Sequence, residues 1–299
     1  MDNSYYDTKK EFKRKQRRKR RMMHNIRVLL LYIVISATLI LLSIKGIRAL
    51  IDKYLPDSNI SSQEATPVME YNISDNSSDA KSNTDNFNIS DYDTSEIPEQ
   101  LLELMEKHPE TKDFVLNYPE LKDASFSLDI SNEITAGEIP LFIQWDKRWG
   151  YKHYGDDFFA LTGCGPTCLS MVVCGLGGDT SYNPYAVSEL MEANGYYEYG
   201  SGSLWTMMTD GASLIGLNGE EISLDKYVIY NHLSSGQPII CSMREGDFTE
   251  TGHFIVLTDI DSDYNVTVND PNSIENSSHT WSLEYIMPQI KNLWSFTLK

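Results

Sequence analysis

The chain has 299 residues, with 43 Asp and Glu against 25 Lys and Arg for a net charge of −18. Its length allows one or two domains, and its four cysteines allow two disulfides without requiring any. The charge is divided: residues 1–54 hold 14 Lys/Arg and 4 Asp/Glu, and residues 55–299 hold 11 and 39, so the acidic body repels a polyanion and nucleic acid is excluded as its partner.

Residues 1–27 form a basic tail dominated by the run Lys9–Arg21. Val28–Ile44 follows, 17 residues without a charge, at the lower end of the roughly 17–25 needed to cross a bilayer as a helix. Eleven Lys/Arg precede it, and only Lys45, Arg48 and Lys53 lie just after. The positive-inside bias predicts a cytoplasmic tail, a single-pass anchor over 28–48 and an extracytoplasmic remainder. A cleaved signal peptide is the competing reading, but the basic region is long for one and no small-x-small site follows. The basic run then acts as a topology signal with some affinity for anionic lipid.

Residues 49–96 read as a disordered extracytoplasmic linker. Asp57–Glu96 is rich in Ser, Asn, Asp and Thr, and such a stretch buries too little to offset its chain entropy. Its mean span is roughly 35 Å as a flexible coil. The triplet Asn72-Ile73-Ser74 matters only in a glycosylating host.

A helical arm is expected over 97–138. "IPEQLLELMEKH" puts Leu101, Leu102 and Met105 at helical spacing behind Pro98. "TKDFVLNYPEL" reads as a second short helix stopped by Pro119. Packing is the expected role of both.

Residues 139–299 form the main domain. Cys164–Cys174, Pro184–Asn194, Ser203–Ile215 and Leu224–Ser234 read as helices. "QPIICSM", "GHFIVLTDI", "YNVTVND" and "LWSFTL" are short β-rich runs between turn residues. Helices first and strands after predict an α+β fold with an antiparallel sheet.

The chemistry centres on "GCGPTC". Glycines flank Cys164, and Pro166 suits the first turn of a helix that starts there. A sulfur at a helix N-terminus meets unpaired N–H groups and the positive end of the dipole, which favour the reactive thiolate. Gly165 is expected to let a substrate carbonyl approach. Cys168, Cys174 and Cys241 sit among apolar residues and read as core filling. A four-cysteine zinc site lacks the paired C-x₂-C spacing, so no metal or other cofactor is expected.

A nucleophilic thiol needs a base. His24 lies in the tail and His108 in the arm, while His153, His232 and His279 lie in polar or loop surroundings. His253 opens the run "HFIVLTDI", and Asp270 ends the following one. Antiparallel neighbours joined near Asp261–Asp263 bring the start of the first strand beside the end of the second. A carboxylate there orients the imidazole and stabilises its charge. Read instead as a calcium loop, "DIDSDYN" has Tyr264 where glycine is needed and Asp270 where glutamate is needed, so the turn is preferred.

In order, "IQWDKRWGYKHYG", "GCGPTCLSM", "GHFIVLTDID" and "NDPNS" resemble the stand-alone, papain-like relatives of the double-glycine leader (bacteriocin-processing) peptidases. The resemblance covers roughly 139–299. It implies a papain-like cysteine peptidase fold with a helical lobe and an antiparallel sheet. It also implies Cys164 as nucleophile, His253 as base, Asp270 as the orienting residue and Gln144 as oxyanion-hole donor. In the leader peptidases that glutamine lies a few residues before the cysteine; here the gap is 20.

The segments Tyr199–Trp205 and Arg244–Gly252 either frame the groove or are ordinary turns. Trp145, Trp149, Tyr196, Tyr197 and Trp205 are expected mostly in packing roles. The expected function is a membrane-anchored extracytoplasmic cysteine hydrolase acting on a peptide or amide bond through a Cys-His-Asp triad, with a peptide or cell-wall peptide as substrate. The alternatives are a catalytically silent binding or scaffold module, and a cell-wall amidase or transpeptidase.

Overall fold

The computed structural model describes residues 92–135 and 137–299. The basic tail, the anchor over 28–48 and all but the last residues of the linker lie outside the described residues. Among the described residues no helix is long and apolar enough to cross a membrane.

The arm folds as expected in outline. Helix α1 (Glu99–Lys107) buries Leu101, Leu104 and Met105, a spacing of three and four that makes one stripe; Leu102 is only half-buried. Helix α2 (Lys112–Leu116) and helix α3 (Tyr118–Leu121) follow. Pro119 does not stop a helix, because it sits in the first turn of α3, where its missing N–H costs nothing. The arm packs against the main domain: the Phe114 ring stacks on Tyr151 at 4.3 Å, and the Tyr151 hydroxyl donates to the Phe114 carbonyl.

A small hairpin, β1 (His153–Tyr154) and β2 (Asp157–Phe158), leads into α4 (Phe159–Thr162) and α5 (Cys164–Gly177). Helix α5 is buried almost all round from Gly165 to Gly175, which matches a sequence with no charged residue. Helix α6 (Pro184–Ala193) packs beside it, capped by the Asn183 side chain accepting from the Ala186 N–H. A second hairpin follows, β3 (Tyr197–Glu198) and β4 (Gly202–Ser203).

The single helix expected over 203–215 is broken. Ser203 belongs to β4, Trp205–Met208 is a 3₁₀ turn, and only α7 (Asp210–Leu214) is α-helical. Thr209, at φ −115° and ψ −77°, leaves the helical path between them. The break lets Met207 and Met208 enter the core while Trp205 stays outside. Strand β5 (Leu217–Glu221) then forms where no strand was expected. Only Leu217 of its five residues is buried, so an edge strand of this kind carries no alternation to read.

Helix α8 (Lys226–Ser234) is capped by Asp225, which accepts from the N–H groups of Tyr227 and Val228. The remaining elements are β6 (Ile239–Met243), β7 (His253–Ile260), β8 (Asn265–Asn269), α9 (Ile274–Ser277), β9 (Thr280–Ser282), α10 (Leu283–Ile286) and β10 (Ile290–Leu298). The sheet runs β5-β10-β6-β7-β8-β9, with every neighbouring pair antiparallel. This is the α+β architecture expected.

The sheet is covered on both faces. Ile240, Phe254, Val256, Trp294 and Phe296 join the core of α5 and α6. Ile239, Cys241, Ile255, Leu257, Val266 and Val268 join a second core with α8. Alternate residues of β6 and β7 thus enter opposite cores, as strand geometry demands. Burying each such side chain contributes about 1.5–3 kcal/mol, which fixes where the ends of β7 lie. The β7–β8 ladder slips by one residue between Leu257 and Asp259, leaving Thr258 as an extra residue on β7.

The β7–β8 turn uses Asp261 as its organiser. Its Oδ1 accepts from the N–H groups of Asp263 and Asn265, and its Oδ2 from the Asn265 side chain. Tyr264 takes the left-handed conformation at φ 63°.

Edge strand β5 carries one fold prediction. A Cβ on Gly219 would lie 1.9 Å from the Met208 carbonyl oxygen, and backbone cannot move aside as a side chain can. Gly219→Ala is expected to lower stability by about 2 kcal/mol through overpacking. A urea midpoint equal to that of the parent would contradict this contact.

Candidate active site

Cys164 is the first residue of α5 and is half-buried. As the first helical residue its N–H has no acceptor within the helix. Gly165 has a different role from the one expected of it. A Cβ there would lie 2.6 Å from both the Ser203 hydroxyl and the Met207 methyl. Gly165 lets the β3–β4 hairpin close on the helix and does not open a path for a substrate carbonyl.

His253 begins β7, pairs with Met243 of β6, and is almost fully buried. Asp270 lies one residue past β8 and is 1 % exposed. Their contact is short, with His253 Nε2–H donating to Asp270 Oδ1 at 2.7 Å. The strand pairing anticipated from sequence brings these two side chains together.

The carboxylate is itself held in place. Its Oδ1 also accepts from the Asn272 N–H at 2.9 Å, and its Oδ2 from the Asn276 side chain at 2.9 Å. The Asp270 N–H donates to the Ser277 hydroxyl.

Burial alone would strip the proton from His253. The Asp270 charge and hydrogen bond outweigh it, and the nearby Cys164 sulfur adds to them, so the imidazole is pushed up to about 10. With Nε2 committed to Asp270, Nδ1 is the ring atom left to face the sulfur.

Gln144 reaches the same site despite the 20-residue separation. It is 3 % exposed. Its N–H donates to the Pro271 carbonyl and its Nε2 to the Ala160 carbonyl, each at 2.7 Å. An amide nitrogen has two donors, so one N–H remains, and the Oε1 is buried without a partner.

Two clefts meet at Cys164 and His253. The first encloses about 520 Å³ and includes Gln144, Asn272 and the 246–252 segment. The second encloses about 530 Å³ and includes Tyr197, Gly200–Ser203, Trp205 and Lys291. Both glycine-bearing segments singled out in the sequence therefore frame the groove. Among the aromatics, Tyr197 and Trp205 line the second cleft. Trp145 donates its indole N–H to the Asn272 carbonyl, Trp149 is core, and Tyr196 packs against the same core.

The arm, expected mainly to pack, with a role over the groove left open by the sequence, lines the first cleft through Gln100, Glu103, Leu104, Lys107 and His108. His108 Nε2 lies 3.0 Å from the Asn272 amide nitrogen. Burial lowers its proton affinity, against the pull of Asp270. Lys107 reaches Glu250 at 3.3 Å across the cleft mouth, an exposed pair of little energetic weight. No local pattern announces His108, because its partner stands 164 residues away.

The other thiols are unsuited to surface chemistry. Cys168 is buried, pushed up by burial, and donates to the Phe254 carbonyl at 3.3 Å. Burial also pushes up Cys241, and raises Cys174 to about 12. All four cysteines are free. The remaining histidines stand elsewhere: His153 stacks on Phe158, His232 bonds Gln237 and His279 packs on Trp281.

The sequence matches the model of the Peptidase_C39-like family over residues 137–297. Among solved structures it is similar to the peptidase domain of Streptococcus ComA, a bi-functional ABC transporter involved in a quorum-sensing pathway. The two share 18% identity over 49% of this chain and 98% of that one, with a TM-score of 0.36. No curated protein matches the chain.

Proposed function

This chain belongs to the Peptidase_C39-like family, and from that membership and the geometry of the groove we propose that it is a cysteine hydrolase that cleaves a peptide or amide bond. The observation that carries this reading is His253, bound to Asp270 through Nε2 at 2.7 Å and lining both clefts together with Cys164.

In the proposed reaction the Cys164 proton already rests on His253 Nδ1, in keeping with the raised proton affinity of that ring, and the thiolate attacks the carbonyl carbon while the C=O electron pair moves to oxygen. The free Nε2–H of Gln144 and the N–H at the start of α5 hold that oxyanion. Collapse breaks the C–N bond, and the departing amine takes the proton from His253. Water, deprotonated by the same imidazole, then attacks the thioester, releases a carboxylic acid and restores the thiol. Asp270 keeps the ring in the orientation and tautomer both half-reactions need.

The test is a peptide library incubated with the full chain and, in parallel, with Cys164→Ala. New amino termini from the parent alone support the reading. Equal release by both proteins, or none from either, counts against it. Preferential capture of the acyl group by an added amine would move the assignment to a transferase.

We also propose that Val28–Ile44 anchors the chain and places the peptidase-like domain outside the cell, on the strength of the basic residues that precede that segment. In intact cells, added protease is expected to degrade the domain while the tail survives, with the chain remaining membrane-bound in high salt. A domain protected until the cells are lysed would refute this topology.

A further inference from the structure

The loop that carries Asp270 is gripped from three directions. From within, Asn272 and Asn276 hold the carboxylate. From the main domain, Trp145 donates to the Asn272 carbonyl at 3.1 Å. From the arm come two contacts: His108 Nε2 meets the Asn272 side chain at 3.0 Å, and Glu110 Oε2 accepts from the Ile274 N–H at 2.9 Å. The arm contacts come from residues that precede the segment matched to the family, 137–297. They bind two residues of the loop, one of which donates directly to the carboxylate that meets His253.

We propose that His108 is a positioning residue for the hydrolytic site, holding Asn272 so that Asp270 stays seated on His253. The assignment rests on reading the groove as that of a cysteine hydrolase. His108 itself does not touch Cys164, His253 or Asp270 by hydrogen bond; its effect runs through Asn272. The arm is on this account part of the active site, and a chain cut at 139 would lack one side of the grip. As placed, the Asn272 amide donates to an unprotonated ring nitrogen. Turning that amide over would exchange donor and acceptor and keep the contact. A glutamine at 108 carries both a donor and an acceptor, so it satisfies either arrangement.

The test uses the full chain and two readouts, neither of which needs a known substrate. One is amide hydrogen exchange across residues 270–277. The other is the rate at which iodoacetamide alkylates Cys164, followed by peptide mapping. His108→Ala is expected to speed the exchange about fivefold and slow the alkylation about fivefold, the net worth of one hydrogen bond. His108→Gln is expected to stay within about twofold of the parent in both, since it remakes that bond.

His108→Ala at parental rates in both readouts overturns the proposal. So does His108→Gln as impaired as His108→Ala, which would make the residue a matter of ring packing. Faster exchange with unaltered alkylation also overturns it, because the loop would then be uncoupled from the sulfur. Failure of the hydrolase reading shows separately, as alkylation that His253→Ala leaves unchanged; the exchange rates alone then decide whether His108 holds the loop.

Discussion

Cys164→Ala is expected to remove peptide-bond cleavage altogether, a loss on the order of a thousandfold or more, since the covalent step has no substitute nucleophile. The three remaining thiols cannot stand in. Cys168, Cys174 and Cys241 are all wholly buried, and burial makes each harder to ionise. Cys168, one turn along the same helix, also commits its S–H to the Phe254 carbonyl. Cys164→Ser keeps a hydroxyl in place but loses the sulfur's nucleophilicity, so it is expected to resemble the alanine variant. In the native fold, alkylation should fall on Cys164 alone. Turnover that survives Cys164→Ala would place the chemistry elsewhere and end the present assignment.

Asp270→Asn carries the second large effect. The carboxylate accepts the His253 Nε2–H at 2.7 Å. An amide in its place offers a neutral acceptor or a donor, and the donor selects the wrong imidazole tautomer. Hydrolysis and Cys164 alkylation are both expected to fall about a hundredfold, the lower range for a disabled general base. His253→Ala should fall at least as far.

The same substitution has a signature in stability against pH. Burial disfavours the charged ring, but Asp270 and Cys164 more than compensate, so folded His253 holds its proton up to about 10 against an ordinary 6.5. Between those values the folded chain binds more protons than the unfolded one, so stability falls as pH rises. The contribution is complete below pH 6.5 and is lost on the way to about 10. The parent should therefore exceed Asp270→Asn by about 2 kcal/mol near pH 6, the worth of a charge-assisted hydrogen bond, with the gap closing as pH rises. Denaturant midpoints at pH 6, 8 and 10 measure it; a gap constant across that range would mean His253 is neutral in the fold.

Much of this site could be read without coordinates because its parts are local. A cysteine at a helix start is written in "GCGPT", and the hairpin that pairs His253 with Asp270 is written in two β-rich runs and a turn. Runs of strand-forming residues between turns placed β6, β7, β8 and β10 for the same reason; β6, β7 and β10 send alternate residues into cores on opposite faces, and β8 sends Val266 and Val268 into one of them. What escaped depends on contacts that no short window contains. β5 is a polar edge strand whose only warrant is its pairing with β10. The break at Thr209 follows from Met207 and Met208 seeking the core. Gly165 is small because Ser203, 38 residues on, lies against it. His108 looked like an ordinary helix-end residue, and only folding brings it to Asn272.

Thr258 has a consequence that reaches His253 and Asp270. Because it is the odd residue in the β7–β8 ladder, Leu257 and Ile260 share one core although they are an odd number of positions apart. It acts as a parity switch: before it, inward and outward are assigned one way, and after it the other way. Straightening the ladder so that Thr258 itself paired with Val268, with β8 fixed, would exchange Phe254 and Val256 with Ile255 and Leu257, a wholesale inversion of the strand. The imidazole at position 253 would turn away from its carboxylate with every reacting side chain still encoded. The geometry of the charge pair thus depends on a bulge five positions from the imidazole.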